Sequence, residues 1–233
     1  MKKLLIATVL MVCLIPVAGL AQTFYTENFE GIAPVDGSMA GAGWYCYNNY
    51  FDATATWYWG GPFDPIVNNV GNICDIVGDQ GGPNQDLQQL VVYNNYWDGA
   101  HQNPGHIIET NVYQQFDVVA GSGVWYFTFD AKLGNIAAPS SAFAFIKVLN
   151  PATGWSTTAF ITEEMTNIST TWQDYELTVD LTGLEGQIVQ IGFLHNAIEY
   201  SPAGVFYDNL AFSPDGTVAN EDKSWSEVKS LYK

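Results

Sequence analysis

The sequence predicts an all-β protein, a two-sheet antiparallel sandwich. Runs of alternating apolar and polar residues recur from Gln22 to Phe212, and no stretch of useful length carries the 3.6-residue period of a helix. Turn signals separate these runs: Ala120-Gly121-Ser122-Gly123, Gly134-Asn135, Asn150-Pro151, Gly183 and Ser201-Pro202. The crossover helices that a parallel sheet requires are missing.

The elements follow in chain order. Lys2-Lys3 and the apolar run Leu4 to Val17 read as a signal peptide, with cleavage expected after Ala21. The apolar run is shorter than the roughly 20 residues of a spanning helix, so no membrane insertion is expected after cleavage. The address is then extracellular or the cell surface. Strands are expected near 24–30, 43–50, 72–77, 87–96, 111–118 and 142–149. The clearest alternation is Val124 to Leu133, which puts Trp125, Phe127, Phe129, Ala131 and Leu133 on one face. Asp130 and Lys132 fall on the other. Residues 172–181 place Tyr175, Leu177, Val179 and Leu181 inward. Residues 187–195 and 205–212 complete the set. The segment 53–104, rich in Gly, Asn, Pro, Trp and Tyr, reads as long decorated loops around one or two strands. Residues 22–213 form the sandwich. An acidic linker follows within 214–233, and there Ser224-Trp225-Ser226-Glu227 opens a short amphipathic helix with a capping box. At its length that helix is marginal alone, and docking on a protein partner is one way it would be held.

Composition removes several functions. The chain has 24 acidic residues and 7 basic ones, a net charge of −17, and its basic residues are all lysine. Loss of Lys2 and Lys3 with the signal would make this −19. Such a chain is a poor ligand for nucleic-acid phosphates and is repelled by anionic lipid surfaces. Apolar residues make up 48% and aromatics 15%, enough to bury a core. No Gly-x-Ser-x-Gly elbow, His-Glu-x-x-His helix or Cys-x-x-Cys pair is present, so no catalytic residue is assigned.

Four groups of residues carry candidate chemistry. Cys46 and Cys74 are the two thiols of the exported chain, and a disulfide between them would close a loop of roughly 29 residues, worth about 3–4 kcal/mol. Two buried free thiols are the alternative. Asp208, in Phe206-Tyr207-Asp208-Asn209-Leu210, shares the register of core residues. With Glu30 from the first strand it would suit calcium, a hard cation that takes oxygen ligands. The plainer reading is a carboxylate bonded to backbone amides at a strand end. Lys132 and Lys147, if their strands pair, reach one sheet surface beside Tyr126 and the phenylalanines. They would either bind a ligand's hydroxyls or carboxylate there, or neutralise nearby acids. Trp57, Trp59, Tyr96 and Trp97 sit in Gly- and Asn-rich segments and match the flat C–H faces and hydroxyls of sugars. They would otherwise pack under their own loops.

Five short motifs occur in a telling order: Phe29-Glu30-Gly31, Gly43-Trp44, Tyr113-Gln114-Gln115-Phe116-Asp117-Val118, Phe127-Thr128-Phe129-Asp130-Ala131-Lys132 and Phe206-Tyr207-Asp208-Asn209-Leu210. Together, across about residues 24–212, they resemble the galactose-binding-like jelly rolls of the CenC-type carbohydrate-binding modules. The stretches Asp130–Asn135 and Ala144–Lys147 are similar to those of a set of exported bacterial proteins. The resemblance implies a jelly-roll sandwich and a structural calcium joining Glu30 to Asp208. It also implies a glycan held on the concave sheet or in the rim loops, which points to Lys132, Lys147, Trp57, Trp59, Tyr96 and Trp97. The long insert 53–104 departs from a minimal module. The expected function is non-catalytic recognition of an extracellular or cell-surface glycan. The rivals are a structural or adhesive surface protein without a small ligand, and a jelly-roll polysaccharide lyase or hydrolase that would bring His101 or His106 to Lys132.

Overall fold

The computed structural model describes residues 24–65, 73–94, 105–199 and 201–215. The expected signal peptide, Tyr96, Trp97, His101 and the expected C-terminal helix all fall outside these residues. Twelve strands form the sandwich: β1 (Tyr25–Glu27), β2 (Tyr45–Phe51), β3 (Trp57–Phe63), β4 (Cys74–Gly78), β5 (Gln88–Val92), β6 (Ile107–Asp117), β7 (Val124–Leu133), β8 (Ser141–Asn150), β9 (Ser156–Glu164), β10 (Gln173–Asp180), β11 (Ile188–Ala197) and β12 (Val205–Ser213). One single-turn helix, α1 (Ser38–Gly41), precedes β2.

The first sheet has the order β10-β7-β12-β5-β4, with β1 also on β12, and the second the order β3-β2-β6-β11-β8-β9. All pairings are antiparallel. From β7 onward the chain switches sheets repeatedly, in jelly-roll fashion: β7 in the first, β8 and β9 in the second, β10 back, β11 across, β12 back. The core is the pleat's inward half. Trp125, Phe127, Phe129 and Ala131 of β7 are buried, as their alternation requires. Across the gap lie Ala144, Ile146, Val189, Ile191 and Phe193. Phe193 of one sheet stacks on Tyr207 of the other, with ring centroids 3.5 Å apart.

The segment 53–104 holds more order than expected. It contains β3, β4 and β5. β3 shows no clear alternation, because Gly60-Gly61-Pro62 interrupts it. β9 lacks a legible pattern for a different reason. It is an edge strand with most side chains exposed, so no burial pattern marks it.

His195 lies fully inside. Its Nδ1 is 2.5 Å from the Ala203 carbonyl oxygen and its Nε2 is 3.1 Å from the Tyr207 hydroxyl. Burial opposes the imidazolium and pushes its pKa down to about 4, against a smaller opposite effect from the Ala203 carbonyl. The unfolded chain takes up this proton below about pH 6.5, and the folded chain only near pH 4. This contribution to stability is therefore present above pH 6.5 and is lost as pH falls towards 4. The full shift corresponds to about 3 kcal/mol. We expect the stability gap between the wild type and His195→Gln, measured by urea unfolding, to shrink by about that order between pH 7.5 and 4.5. A gap that does not move with pH would refute the assignment.

Candidate functional site

Two places on the sandwich collect polar side chains with unusual surroundings. One is the outward face of the second sheet. The other is a gap in the edge pairing of β12.

The register of the second sheet sets out the face in transverse rows. Asn49, Glu109, Asn196 and Ser141 form one, Tyr47, Asn111, Leu194 and Phe143 the next. Tyr45, Tyr113, Gly192 and Phe145 follow, and then Gln115, Gln190, Lys147 and Phe160. A hydrogen-bond chain links the first two rows. Trp57 Nε1 donates to Asn49 Oδ1 at 3.1 Å. Asn49 Nδ2 donates to Glu109 Oε1 at 2.8 Å, and Asn111 Nδ2 donates to the same oxygen at 2.9 Å. Farther along, Tyr45 and Tyr113 stack at 5.7 Å. Gly192 makes room there: a Cβ at this position would lie 2.2 Å from the Val112 carbonyl oxygen and 2.8 Å from the Tyr113 Cβ. Beside the tyrosine stack is a cavity of about 660 Å³, walled by Pro62, Phe63, Asp64 and Tyr113. Phe145 points outward yet has no exposed surface, because its neighbours on this face close over it. Lys147 Nζ sits 5.2 Å from the Phe145 ring centre and 4.9 Å from that of Phe160. Burial lowers the Lys147 pKa, and the Glu109 charge works against that.

The predicted ligand residues therefore separate. Trp57 and Lys147 share the outward face of the second sheet. Trp59 does not: a register shift at Tyr50/Phe51 turns the two indoles apart. Trp59 packs instead on Tyr50 and Phe63, at 4.8 and 5.9 Å. Lys132 and Lys147 do not reach one surface either. β7 and β8 are consecutive but belong to different sheets, since Gly134 to Ser140 crosses the sandwich. Lys132 lies on the outward side of the first sheet, near Trp172 and Phe206 and not Tyr126. It donates to the Gln80 carbonyl oxygen at 2.5 Å. His106 is likewise distant in the topology, placed against Tyr58 of β3 at 3.2 Å. It does not join Lys132.

Several residues of the face were not singled out from sequence: Tyr45, Asn49, Glu109, Asn111, Tyr113 and Gln190. The available signal was alternation. Each occupies an outward strand position, but only pairing reveals that they adjoin.

The gap arises where two short strands share one edge of β12. β5 pairs with Val205–Tyr207 and β1 with Leu210–Phe212. Between them a bulge separates Asp208 from Ala211, and Asn209 takes a left-handed φ of 50°. The bulge shifts the pleat by one residue. Val205 and Tyr207 face the core before it, Leu210 and Phe212 after it. Asp208 is thus not in the register of the core phenylalanine. It faces outward in a row with Asp130 and Asp174. It is nonetheless only 1% exposed.

Asp208 Oδ1 accepts from the Asn209 N–H at 2.7 Å, while Oδ2 has no hydrogen-bond partner. Burial first, offset by the Asn209 N–H, then the charge of Asp130, offset by the Gln89 side chain, and last the charge of Glu30 raise the Asp208 pKa to about 7. Asp130, which accepts from Asn209 Nδ2 and Gln85 Nε2, is raised to about 6, again mainly by burial. Glu30 follows the β1 end, where Phe29 has a φ of 62°. Its Oε1 accepts the backbone N–H groups of Leu87 and Gln88, at 2.7 and 2.5 Å. Glu30 is close enough to Asp208 for its charge to act on the Asp208 carboxyl. No group of three or more acidic, histidine or cysteine side chains is arranged to hold a metal among the described residues. A cation at this gap would draw on the two carboxylates and complete its shell from carbonyl oxygens and water.

Cys46 of β2 and Cys74 of β4 are inward residues of opposite sheets, in one apolar cluster. Both stand here as free, buried thiols, the alternative to a bridge that the sequence left open. Burial pushes both thiol pKa values up, and the proximity of Cys74 adds to the effect on Cys46.

The fold and this face describe a β-sandwich with one aromatic-and-amide surface and one carboxylate gap. No family model matches the chain, and no curated protein does. Among solved structures, it is similar to a family 61 carbohydrate-binding module in complex with β-1,4-galactotriose, at 12% identity and TM-score 0.37, over 60% of this chain and 81% of that one. It is also similar to the C-terminal family 22 carbohydrate-binding module of Clostridium thermocellum Xyn10B, at 11% identity and TM-score 0.46, over 83% and 94%. A third is the enzymatically active domain of tailspike protein 4 from bacteriophage CBA120, at 13% identity and TM-score 0.41. There the match covers 60% of this chain and 17% of the tailspike. At such distances the protein's own surface decides what it recognises.

Proposed function

We propose that this is a secreted, non-catalytic protein that binds an extracellular or cell-surface glycan on the outward face of its second sheet. One observation carries the reading: Trp57, Asn49, Glu109 and Asn111 form a hydrogen-bonded chain beside the stacked Tyr45 and Tyr113. Half-exposed indole and phenol rings offer flat apolar contacts to a pyranose. The amides and the carboxylate accept and donate to its hydroxyls, held in place before the ligand arrives. Glu30 and Asp208 hold a structural calcium, and Cys46 and Cys74 form the disulfide of the oxidised, exported chain.

Calorimetric titration against a saccharide panel tests the glycan reading. Trp57→Ala is expected to weaken the best ligand by about tenfold, the loss of one ring contact and one organising hydrogen bond. Trp59→Ala, whose ring packs on Tyr50 and Phe63, is expected to act mainly on stability. The absence of any saccharide binding by the wild type would end the proposal.

A further inference from the structure

Resting on the glycan reading above, we infer that Lys147 selects a sugar unit that carries a carboxylate, a hexuronic acid within a largely neutral glycan. The two lysines of the described sandwich differ in one respect. Lys132 spends its ammonium on the Gln80 carbonyl oxygen. Lys147 meets two phenyl faces and, among the described residues, no oxygen takes a hydrogen bond from it. In a chain with 24 acids and 7 basic residues, no carboxylate among the described residues bonds this ammonium, which feels Glu109 only through its charge. An ammonium on an aromatic floor has unused N–H donors, and a ligand carboxylate is the partner that uses them best.

The surroundings fit that role. Lys147 stands in the row of Gln190 and Gln115, whose side chains bond each other at 3.0 Å. Phe160, 48% exposed, lies on its other side as a wall for a sugar ring. The next row carries Phe145 and the Tyr113 of the tyrosine stack. A sugar chain lying across these rows thus meets a cation, amides and aromatic rings in turn. Overall charge limits the ligand. The acidic chain and Glu109 on the same face oppose a polyuronate, whereas one carboxylate placed at the ammonium is screened from distant charges beyond about 8 Å at physiological salt.

The test is an array of oligosaccharides containing glucuronic, galacturonic or mannuronic acid, each paired with its carboxyl-reduced counterpart. At 150 mM salt, wild type is expected to bind at least one acidic member about tenfold more tightly than its neutral partner. Lys147→Gln should abolish that preference, Lys147→Arg should retain it, and Lys132→Gln should leave it unchanged. Equal binding within every pair, or a preference that survives Lys147→Gln, overturns the inference while leaving glycan recognition standing. Failure to bind any member, acidic or neutral, overturns both.

Discussion

Millimolar calcium is expected to raise the melting temperature by roughly 5–10 °C over a sample held in chelator, and Asp208→Asn is expected to erase that response. The reason lies in the gap between β1 and β5. A carboxylate that is 1% exposed, with one oxygen unpartnered, is costly to keep ionised. Its pKa of about 7 expresses that cost, which burial dominates and the neighbouring acids Asp130 and Glu30 increase. A cation reverses each of these effects: it gives the unpartnered oxygen a ligand and opposes the repulsion among the acids. Asparagine at position 208 keeps the shape, removes the charge and removes the ligand. In chelator at pH 8 this variant should therefore melt no lower than wild type. Superimposable wild-type curves with calcium and with chelator would dismiss the ion.

The second large effect concerns the two thiols. Protein folded in a glutathione redox buffer is expected to lose the mass of two hydrogens and gain about 3–4 kcal/mol over the dithiol form. Cys46 and Cys74 face each other from different sheets, near enough for the state of one to affect the other. The bridge would tie β2 to β4 of the opposite sheet and close the stretch of chain that contains β3, the strand that carries Trp57. Timing follows from chemistry. Both thiols are buried and resist ionisation in the folded state, and disulfide exchange requires a thiolate. Oxidised glutathione, itself reduced in the exchange, should act before the sheets close and leave the finished dithiol protein untouched. Two titratable thiols per chain after oxidative folding would rule the bridge out.

Much of the architecture could be read along the chain. Residues 124–133 alternate so regularly that Trp125, Phe127, Phe129 and Ala131 could be assigned to the core, and they are buried there. The same holds for Leu177, Val179 and Leu181. A strand's two faces are fixed by nearest neighbours in sequence, so composition and period suffice. The strands that were missed, β3 and β9, are edges whose residues have no consistent burial.

The candidate site was legible only in fragments. Trp57 and Lys147 stand out in the sequence for their chemistry, and Glu30 and Asp208 as a pair of acids at the two ends of the sandwich. Their companions were set by pairing. Lys132 and Lys147 are fifteen positions apart, yet the chain crosses the sandwich between them and puts them on separate sheets. Asn49 meets Glu109 across sixty positions through one register of β2 on β6. At two points the pleat itself changes phase: the bulge after Asp208 turns an expected core carboxylate outward, and the shift at Tyr50/Phe51 parts Trp57 from Trp59. Alternation thus determined, by itself, a sandwich and most of its core. Which polar residues share a face was decided by sheet pairing and bulges, because those depend on contacts between segments far apart in the chain, which no local pattern encodes.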